Sequence, residues 1–476
     1  MGRRKRPLPH FENILIEDTA AEGKSLARID DKVIFVPFTA PGDIVDIQVI
    51  KKRKSYLEGR VTKYHQYSDQ RTDPTCSHFG LCGGCKWQHL SYSKQLEAKH
   101  KQVMDNFQRI AKVEISQVIP IIGCDKEYYY RNKLEYTFSN RRWLTDLDTS
   151  QEEGGPQNTN GLGFHIPGRF DKILDIDHCY LQKDPSNQIR NYIKEYAVSQ
   201  NLDFYNTREH KGFLRNIIIR TSSTDDLMLI VIFAYDSEEI KKMMTAIKQK
   251  FPEITSLVYV VNDKKNDTIW DLDINLFKGE PFLTEKMPRP DVNDKPLYFK
   301  VRPKSFYQTN PEQAYKLYKT AYDFANFQGN ELVYDLYTGT GTIADFISGS
   351  VKKVIGIESV EQAIEDAKEN AANNGISNTE FYVGDMVKIL TDEFISDNGK
   401  PDVIITDPPR AGMHEKVVNQ ILNVEPDRIV YVSCNPATQA RDIQLLSEKY
   451  IVDKVQPVDM FPQTHHVENV ALLIRK

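Results

Sequence analysis

Half of the six cysteines in the sequence lie in one short stretch. The segment CSHFGLCGGC places Cys76, Cys82 and Cys85 in a C-x5-C-x2-C pattern. Thiolates at such spacings bind zinc or an iron–sulfur cluster, and both commonly take four thiolate ligands. The pattern therefore indicates a metal site whose fourth ligand lies elsewhere, with Cys124 and Cys179 as the candidates.

A further cysteine, Cys434, is a candidate nucleophile. It follows the apolar segment IVYVS and precedes an Asn-Pro turn, so it lies at the end of a predicted strand. A structural cysteine is more often buried within the core, whereas a catalytic thiol must ionise and be reached by substrate. Glu468, in the segment DMFPQTHHVENV, is a candidate for the accompanying base, and His465 and His466 are its rivals.

The segment VYDLYTGTGTIA (333–344) has the pattern of a nucleotide-binding turn between a strand and a helix. Its residues Gly339 and Gly341 allow backbone amides to approach a ligand at the helix N-terminus. With Ala344, the turn also satisfies the G-x-G-x-x-G/A pattern of dinucleotide-binding proteins, so a nicotinamide cofactor is one alternative. Glu358, at the end of the next predicted strand, would bind ribose hydroxyls in either case.

Three acidic residues favour S-adenosylmethionine over a nicotinamide cofactor. Asp335 lies just before the glycine turn, at a position suited to the amino group of the ligand. Asp385 ends the third strand, where methyltransferases bind the adenine edge, and Asp407 ends the fourth, where nucleobase methyltransferases present the target base. Because ligands of open α/β sheets bind at the carboxyl ends of the strands, the sequence indicates a methyltransferase.

The sequence divides into regions of different predicted secondary structure, which together position these residues. Residues 11–66 contain short strands and turns, which predict a small OB-type β-barrel, and EGKSLARIDDKVIFVPFTAPGD in this region resembles the TRAM domain of RNA-modifying enzymes. Residues 113–304 are rich in strands, with a polar surface hairpin at 145–160. A helix at 93–112 has one apolar face and is expected to pack on the C-terminal domain. From about residue 311 helices and strands alternate, which predicts a doubly wound, mostly parallel sheet.

The net charge of −5 is not typical of a nucleic-acid-binding protein, but the charge is unevenly distributed. Residues 1–68 carry 13 Lys/Arg and 9 Asp/Glu, with basic runs at 3–6 and 51–54. The longest apolar run, 227–235, is too short to span a membrane, and no apolar segment follows the basic N-terminus as in a signal peptide. We therefore expect a cytoplasmic, monomeric protein without a membrane partner, whose thiols stay reduced.

Five motifs of the C-terminal region resemble those of the RNA uracil-5 methyltransferase family. They are FYQTN (306–310), DLYTGTGT (335–342), DPPRAG (407–412), SCNPATQARD (433–442) and FPQTHHVE (461–468). The resemblance implies that Cys434 is the nucleophile and Glu468 the proton acceptor. It further implies that S-adenosylmethionine is surrounded by Gln308, Tyr337, Thr342, Glu358, Asp385 and Asp407.

The chemistry of uracil explains why such an enzyme needs a thiolate. C5 of uracil is a poor nucleophile, but addition of a thiolate at C6 converts C5 into an enolate carbon that can attack a methyl group. A base must then remove the C5 proton so that the thiolate can leave. In this reading Asp407 also contacts the uracil edge, and Phe306 stacks on the extruded base, with core packing as the alternative role for Phe306.

The resemblance also bears on the cysteine stretch. Family members with an N-terminal TRAM domain include proteins that carry a [4Fe–4S] cluster on a C-x5-C-G-G-C pattern with a distant fourth cysteine. It therefore implies such a cluster on Cys76, Cys82, Cys85 and Cys179, with zinc as the alternative.

The expected architecture is α/β with three domains. A TRAM domain of OB type, able to bind RNA, is expected at 1–68 and a β-rich central iron–sulfur domain at 69–304. A Rossmann-like, S-adenosylmethionine-dependent methyltransferase domain is expected at 305–476.

The resulting functional hypothesis is the formation of 5-methyluridine in structured RNA. The resemblance favours 23S ribosomal RNA as the substrate, with the T-loop of tRNA as the second candidate. A metal-containing RNA-binding factor without catalysis is an alternative of a different class. A nicotinamide oxidoreductase would have no use for Cys434 and Glu468, and a radical methylase requires an iron–sulfur cluster with an open iron site, which four cysteine ligands would not leave.

Overall fold

The computed structural model describes residues 7–144, 159–291 and 295–476. These residues form three large sheets and one two-stranded sheet. The basic run at 3–6 and most of the predicted hairpin at 145–160 lie outside the described residues. Within the described ranges, no helix combines the length and the apolar character that a membrane crossing requires.

The N-terminal sheet has the strand order β1-β5-β6-β4-β3-β2, and all its neighbouring pairs except β4 with β6 are antiparallel. Alternate side chains such as Ile34 and Ile47 form a small apolar core. Gly59 permits close approach there, because a Cβ at this position would lie 2.4 Å from Ile47 Cγ2. The strands are β1 His10–Leu15, β2 Asp18–Thr19, β3 Lys24–Ile29, β4 Lys32–Pro37, β5 Ile44–Lys52 and β6 Tyr56–Gln66.

The segment after the first sheet packs on the C-terminal domain. Helix α1 (Tyr92–Asn106) continues into a π-helical turn, Phe107–Ala111, and strand β7 (Ile115–Val118) follows. Val103, Phe107 and Ala111 belong to the same apolar core as the last helix of the chain. Strand β7 pairs in parallel with β22 (Tyr450–Val458), near the end of the chain, so this segment forms an outer part of the C-terminal layer.

The central sheet has the order β10-β9-β8-β11-β12-β13-β14 and is antiparallel except for β12 with β13. Strand β12 reads LMLIVIF and is buried along its whole length, because apolar residues cover both of its faces. A hairpin, β15–β16, follows. The elements are β8 Lys133–Ser139, β9 Gly161–Ile166, β10 Arg169–Asp175, α2 Ser186–Ser199, β11 Leu214–Thr221, β12 Leu227–Phe233, α3 Glu238–Lys250, β13 Ser256–Val261, β14 Asn275–Gly279, β15 Leu283–Met287 and β16 Leu297–Val301.

The C-terminal sheet has the order β19-β18-β17-β20-β21-β23-β22-β7. Strands β17 to β21 are parallel, and β23 lies antiparallel between β21 and β22. Helices cover both faces. The elements are α4 Pro311–Ala325, β17 Leu332–Leu336, α5 Thr342–Ile347, β18 Lys353–Glu358, α6 Glu361–Asn373, β19 Thr379–Val383, α7 Met386–Ile389, α8 Asp392–Asn398, β20 Val403–Thr406, α9 Glu415–Val424, β21 Arg428–Ser433, α10 Pro436–Leu446, β22 Tyr450–Val458 and β23 Glu468–Arg475.

Candidate active site and four-cysteine cavity

The candidate catalytic residues meet at one edge of the C-terminal sheet. Asp407 directly follows β20 and Cys434 directly follows β21, so both lie at the carboxyl ends of parallel strands. Glu468 is the first residue of β23, which runs in the opposite direction and pairs Asn469 with Ser433. This register brings the Glu468 end of β23 to the Cys434 end of β21, although 33 positions of chain separate the two residues.

The environment of Cys434 favours the neutral thiol. Burial, followed by the Glu468 and Asp407 carboxylates, raises the pKa of Cys434 to about 11, whereas the Arg410 guanidinium lowers it. Burial and Asp407 likewise raise the pKa of Glu468 to about 8, again opposed by Arg410. Glu468 is therefore a strong base when ionised, and Arg410 is the cation that favours the ionised forms of both groups.

Asp407 lies in the same buried group. Burial, with a smaller contribution from Asp335, raises the pKa of Asp407 to about 7. The buried hydroxyl of Tyr318 contacts the Gln308 side chain, and its pKa is raised by burial and by Asp407. A carboxyl group near neutrality can donate or accept a hydrogen bond, which suits recognition of a base edge that offers both donors and acceptors.

The sequence interpretation assigned no role to Tyr318 or Arg410. Arg410 follows the Asp-Pro-Pro triplet directly, so its place in that motif was a usable signal. Tyr318 lies on the buried face of α4, where its spacing is that of an ordinary core residue. No sequence signal distinguishes Tyr318 from its apolar neighbours on that face.

A cradle for a cofactor surrounds the turn after β17. Asp335 is fully buried; its Oδ2 accepts a 2.5 Å hydrogen bond from Thr338 Oγ1, and its Oδ1 has no partner among the described residues. Burial raises the pKa of Asp335 to about 7. Gly339 and Gly341 adopt φ values of 57° and 77°, and a Cβ at Gly341 would lie 2.9 Å from Ala367 Cβ. The turn therefore exposes backbone beside a carboxylate oxygen, Asp335 Oδ1, that has no partner among the described residues.

Glu358, at the end of β18, stabilises the turn from the neighbouring strand. Its carboxylate accepts hydrogen bonds from the Gly339 amide at 3.3 Å, the Ser359 amide at 2.7 Å and the Val360 amide at 3.0 Å. Asp385 accepts from the Val387 amide at 3.1 Å and so caps α7.

The remaining predicted binding residues are distributed around this cradle. Tyr337 has a φ of 65°, and burial followed by Asp442, Asp385 and Glu358 raises its pKa to about 12. Thr342 is buried at the start of α5, and Gln308 is buried beside Tyr318. Phe306 is 64% exposed, so it is not a core residue. The structure thus brings Asp335, Tyr337, Glu358 and Asp385 to one turn and leaves Phe306 at the surface.

The four predicted metal ligands Cys76, Cys82, Cys85 and Cys179 line one cavity of about 160 Å³. Burial raises the pKa of Cys82 to about 12 and that of Cys85 to about 11, and the neighbouring thiols add to both shifts. The sixth cysteine, Cys124, lies elsewhere and donates to the Asp459 carbonyl at 3.1 Å. Across the described ranges, no three His, Cys, Asp or Glu side chains converge closely enough to hold a single metal ion.

A cleft of about 750 Å³ runs from the N-terminal sheet to the sheet edge that carries Asp407, Cys434 and Glu468, called the candidate catalytic edge below. Arg28 and Phe35 of the N-terminal sheet line one part of it, and Cys434 lies in another. His465 and His466 line the same cleft with their rings 4.2 Å apart, and burial lowers their pKa values to about 4 and about 3. Both imidazoles are therefore neutral near pH 7.

Comparison with known proteins shows which family the chain belongs to. A family model described as tRNA (uracil-5-)-methyltransferase matches residues 238–476, and a TRAM domain model matches residues 12–62. An uncharacterized RNA methyltransferase of Bacteroides thetaiotaomicron is 57% identical over 95% of this chain and 99% of its own length. The chain belongs to the tRNA (uracil-5-)-methyltransferase family. The predicted enzyme class, an RNA (uracil-5-)-methyltransferase, and the N-terminal TRAM domain are thereby confirmed.

More distant relatives agree with this assignment. An uncharacterized RNA methyltransferase of Chlorobaculum tepidum is 37% identical to this methyltransferase over 97% of this chain and 96% of its own length. The crystal structure of Pyrococcus abyssi tRNA (uracil-54, C5)-methyltransferase, in complex with S-adenosyl-L-homocysteine, is 27% identical and superposes with a TM-score of 0.73. The superposition covers 98% of this chain and 100% of that structure. This similarity confirms the predicted Rossmann-like methyltransferase fold.

Proposed function

We propose that this protein transfers a methyl group from S-adenosylmethionine to C5 of a uridine in structured RNA. The observation that carries the proposal is the meeting of Cys434, Asp407 and Glu468 at the sheet edge next to the glycine turn. A nucleophile, a base-edge contact and a proton acceptor are the three groups that this reaction requires.

The cradle after β17 fits S-adenosylmethionine. Asp335 offers a buried carboxylate oxygen without a partner among the described residues, which suits the ligand's amino group. Glu358 would hold ribose hydroxyls, and Asp385 and Tyr337 would contact the adenine. When bound, the cofactor supplies an electrophilic methyl group. Gln308 and Thr342 complete the proposed binding residues.

The chain's own residues carry the remaining chemistry. The Cys434 thiolate would add to C6 of uracil, and the electron pair of the C5–C6 double bond would move into the enolate. C5 would then take the methyl group supplied by the cofactor, as the methyl–sulfur bond breaks and S-adenosylhomocysteine leaves. Glu468 then takes the C5 proton, the C6–S bond breaks, the double bond reforms and the thiolate is released. Arg410 assists by favouring the thiolate and the carboxylate, because it lowers the pKa of both groups.

Asp407 and Phe306 would orient the base. Asp407, with a pKa raised to about 7, can exchange hydrogen bonds with the N3 and O4 edge of uracil. The exposed ring of Phe306 offers a stacking surface for a base that has left its helix. The cleft from Arg28 and Phe35 to Cys434 would take the flanking nucleotides, with the TRAM domain as the RNA-binding wall.

The favoured substrate is 23S ribosomal RNA, as the family resemblance of the sequence implies. The T-loop of tRNA is the second candidate, because the superposed Pyrococcus structure is a tRNA uracil-54 enzyme. Nucleoside mass spectrometry of separated ribosomal RNA and tRNA, from cells with and without the gene, tests both. We expect loss of 5-methyluridine from 23S fragments. Loss from tRNA alone would reassign the substrate, and loss from neither would contradict the proposed function.

We also propose that Cys76, Cys82, Cys85 and Cys179 hold a [4Fe–4S] cluster. A zinc ion needs its sulfur ligands about 2.3 Å from one point, and no three ligands in the described part of the chain converge in this way. All four thiols line one cavity of about 160 Å³, and four thiolates are the usual ligands of such a cluster.

Anaerobic purification with iron and sulfide analysis tests the cluster. The wild-type protein and Cys124→Ser should be brown and contain iron and sulfide, whereas Cys82→Ser and Cys179→Ser should lose both. Zinc in the wild-type protein, or iron retained by Cys82→Ser, would contradict the assignment.

A further inference from the structure

The loop that leads into Glu468 has no regular secondary structure of its own. This segment, residues 459–467, is called the Glu468 loop below; it joins β22 to β23. Val458 pairs with Glu468, so the loop closes directly over the proton acceptor. Gln463 within it has a φ of 68°, a left-handed conformation that a residue with a side chain adopts only at a cost. Contacts from outside must therefore hold the loop in this shape.

Helix α1 supplies the first of these contacts through a buried ion pair. Lys99 Nζ lies 2.6 Å from Asp459 Oδ1, and both side chains are fully buried. Lys99 also donates to the Phe461 carbonyl at 3.0 Å. Asp459 is bound further by the Tyr92 hydroxyl at 2.9 Å and by the Phe461 amide at 2.9 Å. The ion pair is therefore hydrogen-bonded to both α1 and the loop.

One helical turn earlier, Gln95 makes a reciprocal amide pair with Gln463. Gln95 Oε1 accepts from the Gln463 amide at 2.8 Å, and Gln95 Nε2 donates to Gln463 Oε1 at 3.0 Å. Residues four apart face the same side of a helix. Gln95 and Lys99 therefore bind the loop from one face of α1, at Gln463 and at Asp459. Both are completely buried although they are polar, which is unusual for these residue types.

The contact region between α1 and the Glu468 loop, called the α1 junction below, also binds the chain that follows the cysteine stretch. The amides of Lys86 and Trp87 donate to the Gln463 carbonyl at 2.9 and 3.1 Å. Gln95 Nε2 also donates to the carbonyls of Trp87 and Leu90 at 3.1 and 2.9 Å. The Glu468 loop, α1 and the end of the cysteine stretch are thus bound together at Gln463.

We propose that Gln95 and Lys99 are positioning residues for Glu468, which hold the Glu468 loop so that the carboxylate reaches the C5 proton. This inference rests on the proposed function. It predicts that one step of the reaction is affected, because Glu468 acts only after methyl transfer. A displaced loop should slow removal of the C5 proton while leaving the addition of Cys434 and the methyl transfer intact.

Two variants test this with different risks to folding. Gln95→Met removes the amide pair, and the double variant Lys99→Met/Asp459→Asn removes both charges without leaving one of them buried and unpaired. Lys94→Met is the matched control, because Lys94 lies on the same helix and its ammonium forms a surface pair with Glu97 at 2.7 Å. Glu468→Gln serves as the reference for loss of the base itself.

The readout is the covalent enzyme–RNA adduct in the presence of S-adenosylmethionine. With uridine RNA, Gln95→Met and the double variant should accumulate the methylated adduct as Glu468→Gln does. Both kcat and KM for RNA should fall together, by about 10-fold to 100-fold, because the steps up to methyl transfer are unchanged and only proton removal is slowed. With 5-fluorouridine RNA, whose C5 carries no removable proton, they should form the adduct at the wild-type rate. Lys94→Met should match wild type in both assays.

Two outcomes would overturn the inference. If both variants turn over uridine RNA at the wild-type rate without adduct, Gln95 and Lys99 do not position Glu468. If adduct formation on 5-fluorouridine RNA falls in parallel with turnover, their role is general stability. Absence of an adduct in Glu468→Gln, by contrast, would contradict the proposed function itself.

Discussion

Two regions bury ionisable groups: the candidate catalytic edge, with Asp407 and Glu468, and the α1 junction, where Lys99 of α1 meets Asp459. The two regions offset the cost of burying a charge in opposite ways. At the edge, Asp407 and Glu468 form no salt bridge within the described residues, and burial raises their pKa values to about 7 and about 8. At the junction, Lys99 and Asp459 form a fully buried pair at 2.6 Å. Burial lowers the pKa of Lys99, and the Asp459 carboxylate opposes that shift.

This difference separates two uses of burial. A buried carboxyl group without a salt-bridge partner can gain or lose a proton near neutral pH, as a proton acceptor in catalysis must. A buried ion pair with additional hydrogen bonds does not change its charge and instead fixes two elements in one arrangement. The edge therefore suits proton transfer, and the junction suits holding the loop that leads into Glu468, the proposed proton acceptor.

The largest expected effect is that of Cys434→Ser at the edge. A hydroxyl replaces the thiol with little change in volume but is a far weaker nucleophile at neutral pH. We expect RNA methylation to fall by at least about 10⁴-fold, as for loss of other enzymatic nucleophiles, with an unchanged melting temperature. Transfer of a labelled methyl group from S-adenosylmethionine measures this. A variant that keeps a tenth of the wild-type rate would remove Cys434 from the mechanism.

Glu468→Gln should have the second largest effect. Loss of a general base lowers kcat by about 10²-fold to 10⁴-fold, but addition and methyl transfer remain possible. The variant should therefore accumulate a covalent complex with methylated uridine RNA, which denaturing gel electrophoresis detects. Reduced turnover without such a complex would assign proton removal to another group, with His465 and His466 as the next candidates.

Substitutions at the edge should have the larger effect on activity, whereas substitutions at the junction should have the larger effect on the free energy of unfolding. Lys99→Met leaves Asp459 buried without its partner and should cost about 3–5 kcal/mol in urea denaturation, whereas Lys99→Met/Asp459→Asn should recover much of that loss. Asp407→Asn at the edge should change stability by less than about 1 kcal/mol, because no ion pair is broken. Equal losses for Lys99→Met and Asp407→Asn would erase the distinction between the regions.

The smallest expected effect concerns the pH dependence of folding. The pKa of Glu468 is raised in the folded protein, so the folded state retains a proton that the unfolded state loses above about pH 4.3. Its contribution to stability is full below that pH and disappears as the pH rises through about 8. Glu468→Gln should therefore lose less stability than wild type between pH 5 and pH 8. Parallel stability curves for the two proteins would show that Glu468 titrates normally.

The edge could be predicted from the sequence because its residues follow recognisable strands. Asp407 and Cys434 come directly after apolar segments in an alternating helix–strand pattern, and parallel strands end at one edge of their sheet. The position of Glu468 required one more fact, the antiparallel pairing of β23 with β21, which local patterns do not reveal.

The junction could not be predicted, because its contacts join distant parts of the chain. Gln95 and Lys99 occupy polar positions of a helix whose apolar spacing was the only readable signal, and their partners lie 368 and 360 residues away. The same limit applies to β7, a short strand that joins the C-terminal sheet across the whole central domain. Tertiary pairing, rather than local propensity, decides such placements.

The most direct test of the central claim follows the C5 hydrogen itself. Substrate RNA carrying tritium at C5 of uridine should release tritium to water in proportion to methyl groups transferred, only with S-adenosylmethionine and only when Cys434 is present. Glu468→Gln should transfer one methyl group per active site and release almost no tritium. Methyl transfer by the wild-type protein without release of tritium would contradict the account, because the methyl group would then not replace the hydrogen at C5.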